Sequence, residues 1–465
     1  MEIFGSLIDG KMETTGTAVS CTSLVTKKKW AQLHLIDEVG IQKALSMLEI
    51  LSLERATAYE KAELLQNIAE LLKRNKDMLA EMITLEMGKP IREARSEVDY
   101  TASYFVWFAE EAKRIYGMNI PSQFAEKRIE LWYEPIGPCA IISPWNFPLA
   151  MAGRKVAAAF GAGCPVIIKP SRDTPLSLLA FGKLCLEAGV PKEAIQILVG
   201  DGATIGDAFL NASCIRKLSF TGSCEVGKHL YQGSAETLKK LTMELGGHAP
   251  LIVFDDADLE KAVDGAIASK FRQSGQTCVC ANRLFIQKNI YPDFLNRFIE
   301  KVKAMKIGNP LEEETELSFV LHPTSEKKAK RHIEDALKRG AKAHLNAKEP
   351  YEPEILSEVT DEMLIFTEET FAPVAGIATF ETTQEVIQRA NQTPYGLAAY
   401  VFTEGLNQAE EVCSGLEFGV IGLNDGVPST AQLPFGGVKA SGFGREGGPL
   451  GIYEYLKEKV ISYKQ

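Results

Sequence analysis

The chain has 465 residues, 45% hydrophobic and 24% charged, with a formal net charge of −10 and an isoelectric point near 5.4. At about 150 residues per domain it should form several domains or lobes, and its composition excludes a disordered, collagenous or coiled-coil protein. The acidic balance argues against a nucleic-acid binder, which needs a basic surface, so Lys27-Lys28-Lys29 is read as a solvated run.

The first thirty residues are rich in Thr, Ser and Lys, and no element is assigned to them. Asp9 precedes any apolar run, so a secretory leader is not expected. From Ser52 to Met87 the pattern is helical: Leu64, Ile68, Leu71 and Leu72 share a face, and Gly88 and Pro90 supply the stop. Residues 117–135, with Pro121 and the apolar-aromatic run Ile129–Tyr133, read as an extended hairpin or arm. From Cys139 onward short apolar runs alternate with helix-length segments. The strand candidates are Cys139–Ile142, Val166–Ile168, Ile195–Val199, Lys217–Phe220 and Lys240–Glu244, and a second series lies near Leu251–Phe254, Leu284–Ile286 and Val420–Leu423. That rhythm predicts parallel βαβ units, hence two open, doubly wound α/β lobes with a cleft between them.

The longest stretch free of charged or polar side chains, Val156–Ile168, falls short of the roughly 18 residues that cross a bilayer, so no membrane partner is expected. Nine cysteines without framework spacing predict a reducing cytoplasm. Six scattered histidines, with neither His-Glu-x-x-His nor Cys-x-x-Cys, offer a metal no ligand set.

Gly442, Gly444 and Gly447 match Gly-x-Gly-x-x-Gly, but too little chain follows them to build a βαβ unit, so they are read as loop residues. Better nucleotide candidates stand at strand ends, where ligands of open α/β sheets bind. These are Lys169-Pro170-Ser171-Arg172 and Thr221-Gly222-Ser223, the second leading into a helix whose N-terminus favours phosphate. Cys278 follows a Gly-Gln-Thr turn, unlike the cysteines in aliphatic runs. Glu244 ends a strand and should face the same strand-end region, and Asn146 lies between Pro144 and Pro148.

These residues resemble one family. Pro-Trp-Asn-Phe-Pro (144–148), Glu-Leu-Gly-Gly (244–247), Gly-Gln-Thr-Cys (275–278), Glu-Thr-Phe-Ala-Pro (369–373) and Pro-Phe-Gly-Gly-Val-Lys-x-Ser-Gly (434–442) are similar, in order and spacing, to the NAD(P)-dependent aldehyde dehydrogenases. The resemblance implies a dinucleotide-binding lobe over 1–116 and 136–247, and a catalytic lobe over 248–432. Residues 117–135 and 433–465 would bridge subunits, the arm pairing across them with Lys459–Tyr463 in a homodimer or homotetramer. It implies Cys278 as nucleophile, Glu244 as general base and Asn146 as oxyanion donor. Lys169 and Glu369 would hold the riboses and Gly222-Ser223 the pyrophosphate. Trp145 and Phe371 would line the nicotinamide site, with further cofactor contacts at Ile142, Gly202, Gly206 and Leu245.

The reaction so implied is aldehyde oxidation by NAD(P)+ through a cysteine thiohemiacetal and thioester. A coenzyme-A-acylating enzyme is the nearest rival, and Glu244 argues against it. A thiol hydrolase without redox cofactor and a non-catalytic protein of the same fold are the other readings. Arg154, Arg272 and Ser429 resemble the carboxylate-binding set of the succinate-semialdehyde branch, so succinate semialdehyde is the expected substrate and glutarate semialdehyde the alternative; two arginines at one pocket would need an anion between them. Ser171 and Arg172 beside Lys169 favour NADP over NAD, since a cation accommodates a 2′-phosphate. Cys280, two residues after Cys278, is a candidate redox switch through a strained, reducible disulfide.

Overall fold

Five short apolar runs between Cys139 and Glu244 form the parallel heart of an eight-stranded sheet in the computed structural model, which describes residues 2–48 and 53–464. The order across the sheet is Gly442–Phe443, Lys240–Glu244, Lys217–Thr221, Cys139–Ile142, Val166–Lys169, Ile195–Ile197, Ser6–Ile8 and Lys11–Glu13. The chain starts this core at Cys139–Ile142, builds outward on one side through Val166–Lys169, and then returns to the other side with Lys217–Thr221. The strand order therefore reverses between Cys139–Ile142 and Lys217–Thr221, and at such a switch point the strand ends leave a crevice for a ligand.

A second, seven-stranded sheet runs Lys342–Ala343, Glu354–Ser357, Val374–Phe380, Ala281–Gln287, Ala249–Val253, Ala398–Phe402 and Val420–Leu423. All its pairings are parallel except the edge pair 342–343 with 354–357. The sequence pattern locates three of these strands and misses Lys342–Ala343, Glu354–Ser357, Val374–Phe380 and Ala398–Phe402. Phe105, Phe108, Phe160 and Phe181 fill the core of the first sheet, and Phe271, Phe294, Phe298 and Tyr400 that of the second. Each such buried side chain contributes about 1.5–3 kcal/mol by leaving water.

The structure corrects three expectations. The opening residues, which had no assigned element, form strands: Ser6–Ile8 and Lys11–Glu13 extend the first sheet, and Glu2–Phe4, Thr17–Thr22 and Lys29–Leu35 make a small sheet of their own. The helical stretch ending at Met87 is two helices, Ala58–Arg74 and Lys76–Met87, because Asn75 leaves helical geometry and its side chain caps Leu71 O at 2.9 Å. Its expected start, Ser52, lies outside the described residues; the first helix begins after Thr57, which forms a capping box with Glu60. The arm is a hairpin of Met118–Ile120 and Lys127–Pro135, but its C-terminal partner strand, Leu456–Lys464, pairs with it inside the same chain, from Leu456 opposite Pro135 to Lys464 opposite Lys127. Connected by only a short segment to the catalytic loops, that strand reaches the hairpin without a second subunit. Among the described residues no helix is long and apolar enough to cross a membrane.

Candidate active site

The crevice at the switch point is a cleft of about 820 Å³. Ile142, Trp145, Lys169, Ser171, Gly202, Gly206, Gly222, Ser223, Leu245, Glu369 and Phe371 all line it, together with Asn146 and Cys278. Ser223 caps the helix Cys224–Gly233, its side chain accepting from Val226 N at 3.3 Å, so the positive end of that helix opens on the cleft. Lys169 is largely buried and has no hydrogen bond or ion pair among the described residues; burial holds its ammonium below the usual range, with Asp173 and Asp201 acting against that. A Cβ on Gly202 would stand only 3.5 Å from Lys169 Nζ. The half-buried Glu369 carboxylate, also on the cleft wall, accepts from Gly247 N at 3.0 Å, and desolvation pushes its pKa up. An uncommitted ammonium, a helix N-terminus and a carboxylate that line one cleft suit a phosphate bridge between two hydroxyl-bearing sugars.

Arg172 does not line this cleft. A tight turn follows the strand, with Asp173 N on Ser171 Oγ at 3.3 Å and Thr174 N on Ser171 O at 3.4 Å. Ser171 is thereby kept in the cleft, whereas Arg172 and Asp173 line a neighbouring groove with Glu86 and His322. The expectation that Arg172 meets the adenosine ribose is corrected on that ground.

Cys278 lies where this cleft meets a second cavity of about 300 Å³, for it lines both. It sits in a loop entered through a left-handed turn, Gln273 at φ 54°, Ser274 at φ 53° and Gly275 at φ 74°. Non-glycine residues there store strain, which surrounding contacts must hold. Two glycines make the loop possible: a Cβ on Gly275 would come within 2.3 Å of Ala372 O, and one on Gly247 within 2.1 Å of Cys278 O. Asn146 Nδ2 donates to Gln276 O at 3.0 Å, which leaves its second amide proton for an oxygen formed on the Cys278 adduct. Tyr400 Oη pins the loop from the other side by donating to Val279 O at 2.6 Å. Burial pushes the Cys278 thiol up to about 12, against the pull of Arg154.

Glu244 is fully buried at the end of its strand and outside the walls of both cavities, and its charge acts on the Cys278 thiol, pushing it up. Neither of its oxygens has a hydrogen-bond partner among the described residues. Burial first, and the Glu446 charge second, push its pKa well above the usual carboxylate range. A neutral acid is the form such a site tolerates at rest, and it can act as a base only after turning toward the cleft.

The second cavity is lined by Tyr100, Phe147, Arg154, Arg272 and Ser429. The two arginines differ. Arg154 is 2% exposed, ion-paired with Glu446, and lies over the Phe435 ring at 4.8 Å. Arg272 has neither an ion pair nor a hydrogen bond among the described residues, although it lines the cavity wall. The view that both arginines await one external anion is therefore corrected: a buried guanidinium needs a counter-ion, and Arg154 has Glu446.

Several residues of the site were not singled out by sequence. Lys155 joins Arg154 on Glu446 and donates to Thr221 Oγ1 at 2.6 Å. Glu446 lies in the Gly-rich loop dismissed as a fingerprint, whose strand Gly442–Phe443 pairs with Met243 and Glu244. His322 stacks on Trp145 at 4.2 Å and donates its backbone N–H to Gln276 Oε1 at 3.0 Å. Cys280 is buried, with Lys270 Nζ 3.4 Å from its sulfur.

Comparison with known proteins agrees with this geometry. The Aldehyde dehydrogenase family matches residues 12–461. The chain is 47% identical to a succinate semialdehyde dehydrogenase of Acinetobacter baylyi, over 88% of this chain and 86% of that one. It is 44% identical to an NADP+ succinate-semialdehyde dehydrogenase of Escherichia coli, over 87% and 85%. A solved succinate-semialdehyde dehydrogenase from Burkholderia pseudomallei superposes with a TM-score of 0.96 at 40% identity, covering 99% of this chain and 98% of that one. With a family match over nearly its whole length, a nucleotide-shaped cleft and a cysteine at the cleft's inner end, the chain belongs to the aldehyde dehydrogenase family, as an NAD(P)-dependent oxidoreductase that oxidises aldehydes.

Proposed function

We propose that the substrate is an aldehyde with a terminal carboxylate, succinate semialdehyde, with glutarate semialdehyde as the alternative, and that NADP is the preferred cofactor. The observation that carries the substrate is Arg272, a guanidinium with no ion pair or hydrogen bond among the described residues, on the wall of the cavity that ends at Cys278. A guanidinium binds a carboxylate through two parallel hydrogen bonds, which fixes the far end of a short chain while its aldehyde reaches the sulfur. Ser429 on the same wall can donate a further hydrogen bond.

Cys278 loses its proton to solvent and attacks the aldehyde carbon as the thiolate, and Asn146 donates to the oxyanion of the resulting thiohemiacetal. The nicotinamide, when bound in the cleft, supplies the hydride acceptor. Glu244, turned toward the resulting thioester, takes a proton from the water that releases the acid and frees Cys278. Lys169 and Ser171 on the adenosine side support a cofactor carrying a 2′-phosphate. The relatives named for succinate semialdehyde, one of them for NADP+, support the same reading.

The test is a panel of aldehydes of graded length, with and without a terminal carboxylate, assayed with NAD and with NADP by absorbance of the reduced nicotinamide. Succinate semialdehyde should exceed butanal in kcat/KM by about tenfold or more, the value of one well-formed charged hydrogen bond. Equal values for the two would remove the substrate assignment.

A further inference from the structure

Lys89 is 1% exposed although it carries an ammonium group, and no step above uses it. It stands between Gly88, whose φ of 88° ends the helix Lys76–Met87, and Pro90, which opens the helix Ile91–Glu111. An ammonium has three N–H bonds, and here each has an acceptor: the Glu97 carboxylate, Asn146 O at 2.9 Å and Gln273 Oε1 at 2.8 Å. Its charge also lies over the Phe147 ring at 4.1 Å. Gln273, at the start of the strained turn before Cys278, donates from Nε2 to the same Asn146 oxygen. Glu97, two turns along the helix, accepts from Leu149 N at 2.9 Å and Ala150 N at 3.0 Å, where the helix Ala150–Ala162 has no side-chain cap of its own.

Burying an ion pair is a poor way to add stability, since apolar side chains of similar volume do as well or better. What distinguishes this pair is where its remaining bonds go. They grip the segment 146–150 on both sides of Phe147 and reach the Cys278 loop through Gln273. We infer that Lys89 is a positioning residue for the oxyanion site: with Glu97 it fixes the Asn146 main chain against the Cys278 loop, so that the free Asn146 amide proton meets the developing oxyanion. The inference rests on Asn146 being that donor. Stabilisation of this kind requires donors placed beforehand, and an ångström of misplacement can cost about a hundredfold in rate.

A double-mutant cycle on the full-length enzyme tests it. The quantity measured is the first-order rate constant of a single turnover, read from reduced-nicotinamide formation with enzyme in saturating excess, which does not depend on the fraction of protein that is misfolded. Lys89→Met should slow this step about 10- to 100-fold, a fraction of what losing an oxyanion donor outright costs, with little change in KM. In an Asn146→Ala background the same substitution should cost less than about threefold, because residues acting through one another are not additive. Lys89→Arg, which keeps a donor for the Asn146 carbonyl, should recover part of the rate. Should Lys89→Met not fold, Lys89→Met with Glu97→Gln leaves no orphaned carboxylate and is judged by the same cycle. Equal losses in both backgrounds, or an unchanged rate in the doubly neutralised variant, would overturn the role of Lys89. An Asn146→Ala variant that reacts at the wild-type rate would instead overturn the oxyanion reading beneath it.

Discussion

Arg154 and Glu446 form an ion pair inside the protein, with side chains 2% and 4% exposed, and the charge of Arg154 acts on both Cys278 and Glu244. Glu446 also takes Lys155, so one carboxylate answers two cations. Burial opposes its charge, yet Arg154 and Lys155 hold its pKa below the usual carboxylate range. The charge of Glu446 in turn pushes Glu244 up.

Glu446→Gln should therefore have two effects. Leaving two buried cations without their carboxylate should destabilise the fold by about 3–5 kcal/mol, read from denaturant unfolding. Removing a negative neighbour should also lower the Glu244 pKa. Hydrolysis of the thioester needs Glu244 ionised and so rises with pH, and the rising limb of kcat should move to lower pH. A limb that stays in place would contradict the coupling.

The cofactor preference should answer to Ser171 more than to Arg172. Ser171 lines the cleft, whereas Arg172 is turned into the neighbouring groove. Ser171→Glu should shift the ratio of kcat/KM values for NADP and NAD toward NAD by about tenfold or more, a change of about 1.4 kcal/mol. Arg172→Glu should shift it less. The opposite ranking would restore Arg172 to the cofactor site.

We propose that Cys280 makes Cys278 reversibly oxidisable. Peroxide would convert the Cys278 thiolate to a sulfenic acid, and the Cys280 thiol would then displace water to close a disulfide. Cys280 is buried, with Lys270 Nζ 3.4 Å from its sulfur, so the loop must rearrange before closure. Peroxide should abolish activity and dithiothreitol restore it, while Cys280→Ala should keep catalysis and resist the reversible loss. Equal rescue of Cys280→Ala and wild type would rule the switch out.

We also propose a homodimer or homotetramer. The strand Leu456–Lys464 fills one side of Lys127–Pro135, which leaves its own outer edge and the apolar side chains of Met118, Ile120, Trp132 and Val460 exposed. A long open edge of that kind is ordinarily covered by another chain. Sedimentation at micromolar concentration should find dimers or larger; a monomer would contradict the proposal.

Much of the catalytic centre was legible in the sequence because strand-end residues obey local rules. The run Cys139–Ile142 announces a buried strand, and Pro-Trp-Asn-Phe-Pro after it must be a loop at that strand's end. Cys278, Asn146 and the cleft residues Lys169, Gly222 and Glu369 follow from such placement and from the family resemblance. What stayed hidden depends on contacts between distant segments. Nothing near Arg154 in the sequence announces Glu446, and nothing near Ser171 fixes which way Arg172 turns. The strands Val374–Phe380 and Ala398–Phe402 were missed because continuous apolar runs do not distinguish a buried strand from a buried helix. Of the opening strands, Thr17–Thr22 was hidden because its Thr and Ser lie on an exposed sheet edge, and Glu2–Phe4, Ser6–Ile8 and Lys11–Glu13 because three residues are too few to show a period.

The account turns on Arg272, and the most direct measurement is the kinetics of Arg272→Ala on succinate semialdehyde and on butanal, each with saturating cofactor. The loss of a charged hydrogen-bonding partner should raise KM for succinate semialdehyde by about 10- to 100-fold and leave butanal within about threefold. Equal losses on the two aldehydes would show that Arg272 only supports the loop around Cys278, and would contradict recognition of the substrate through its carboxylate.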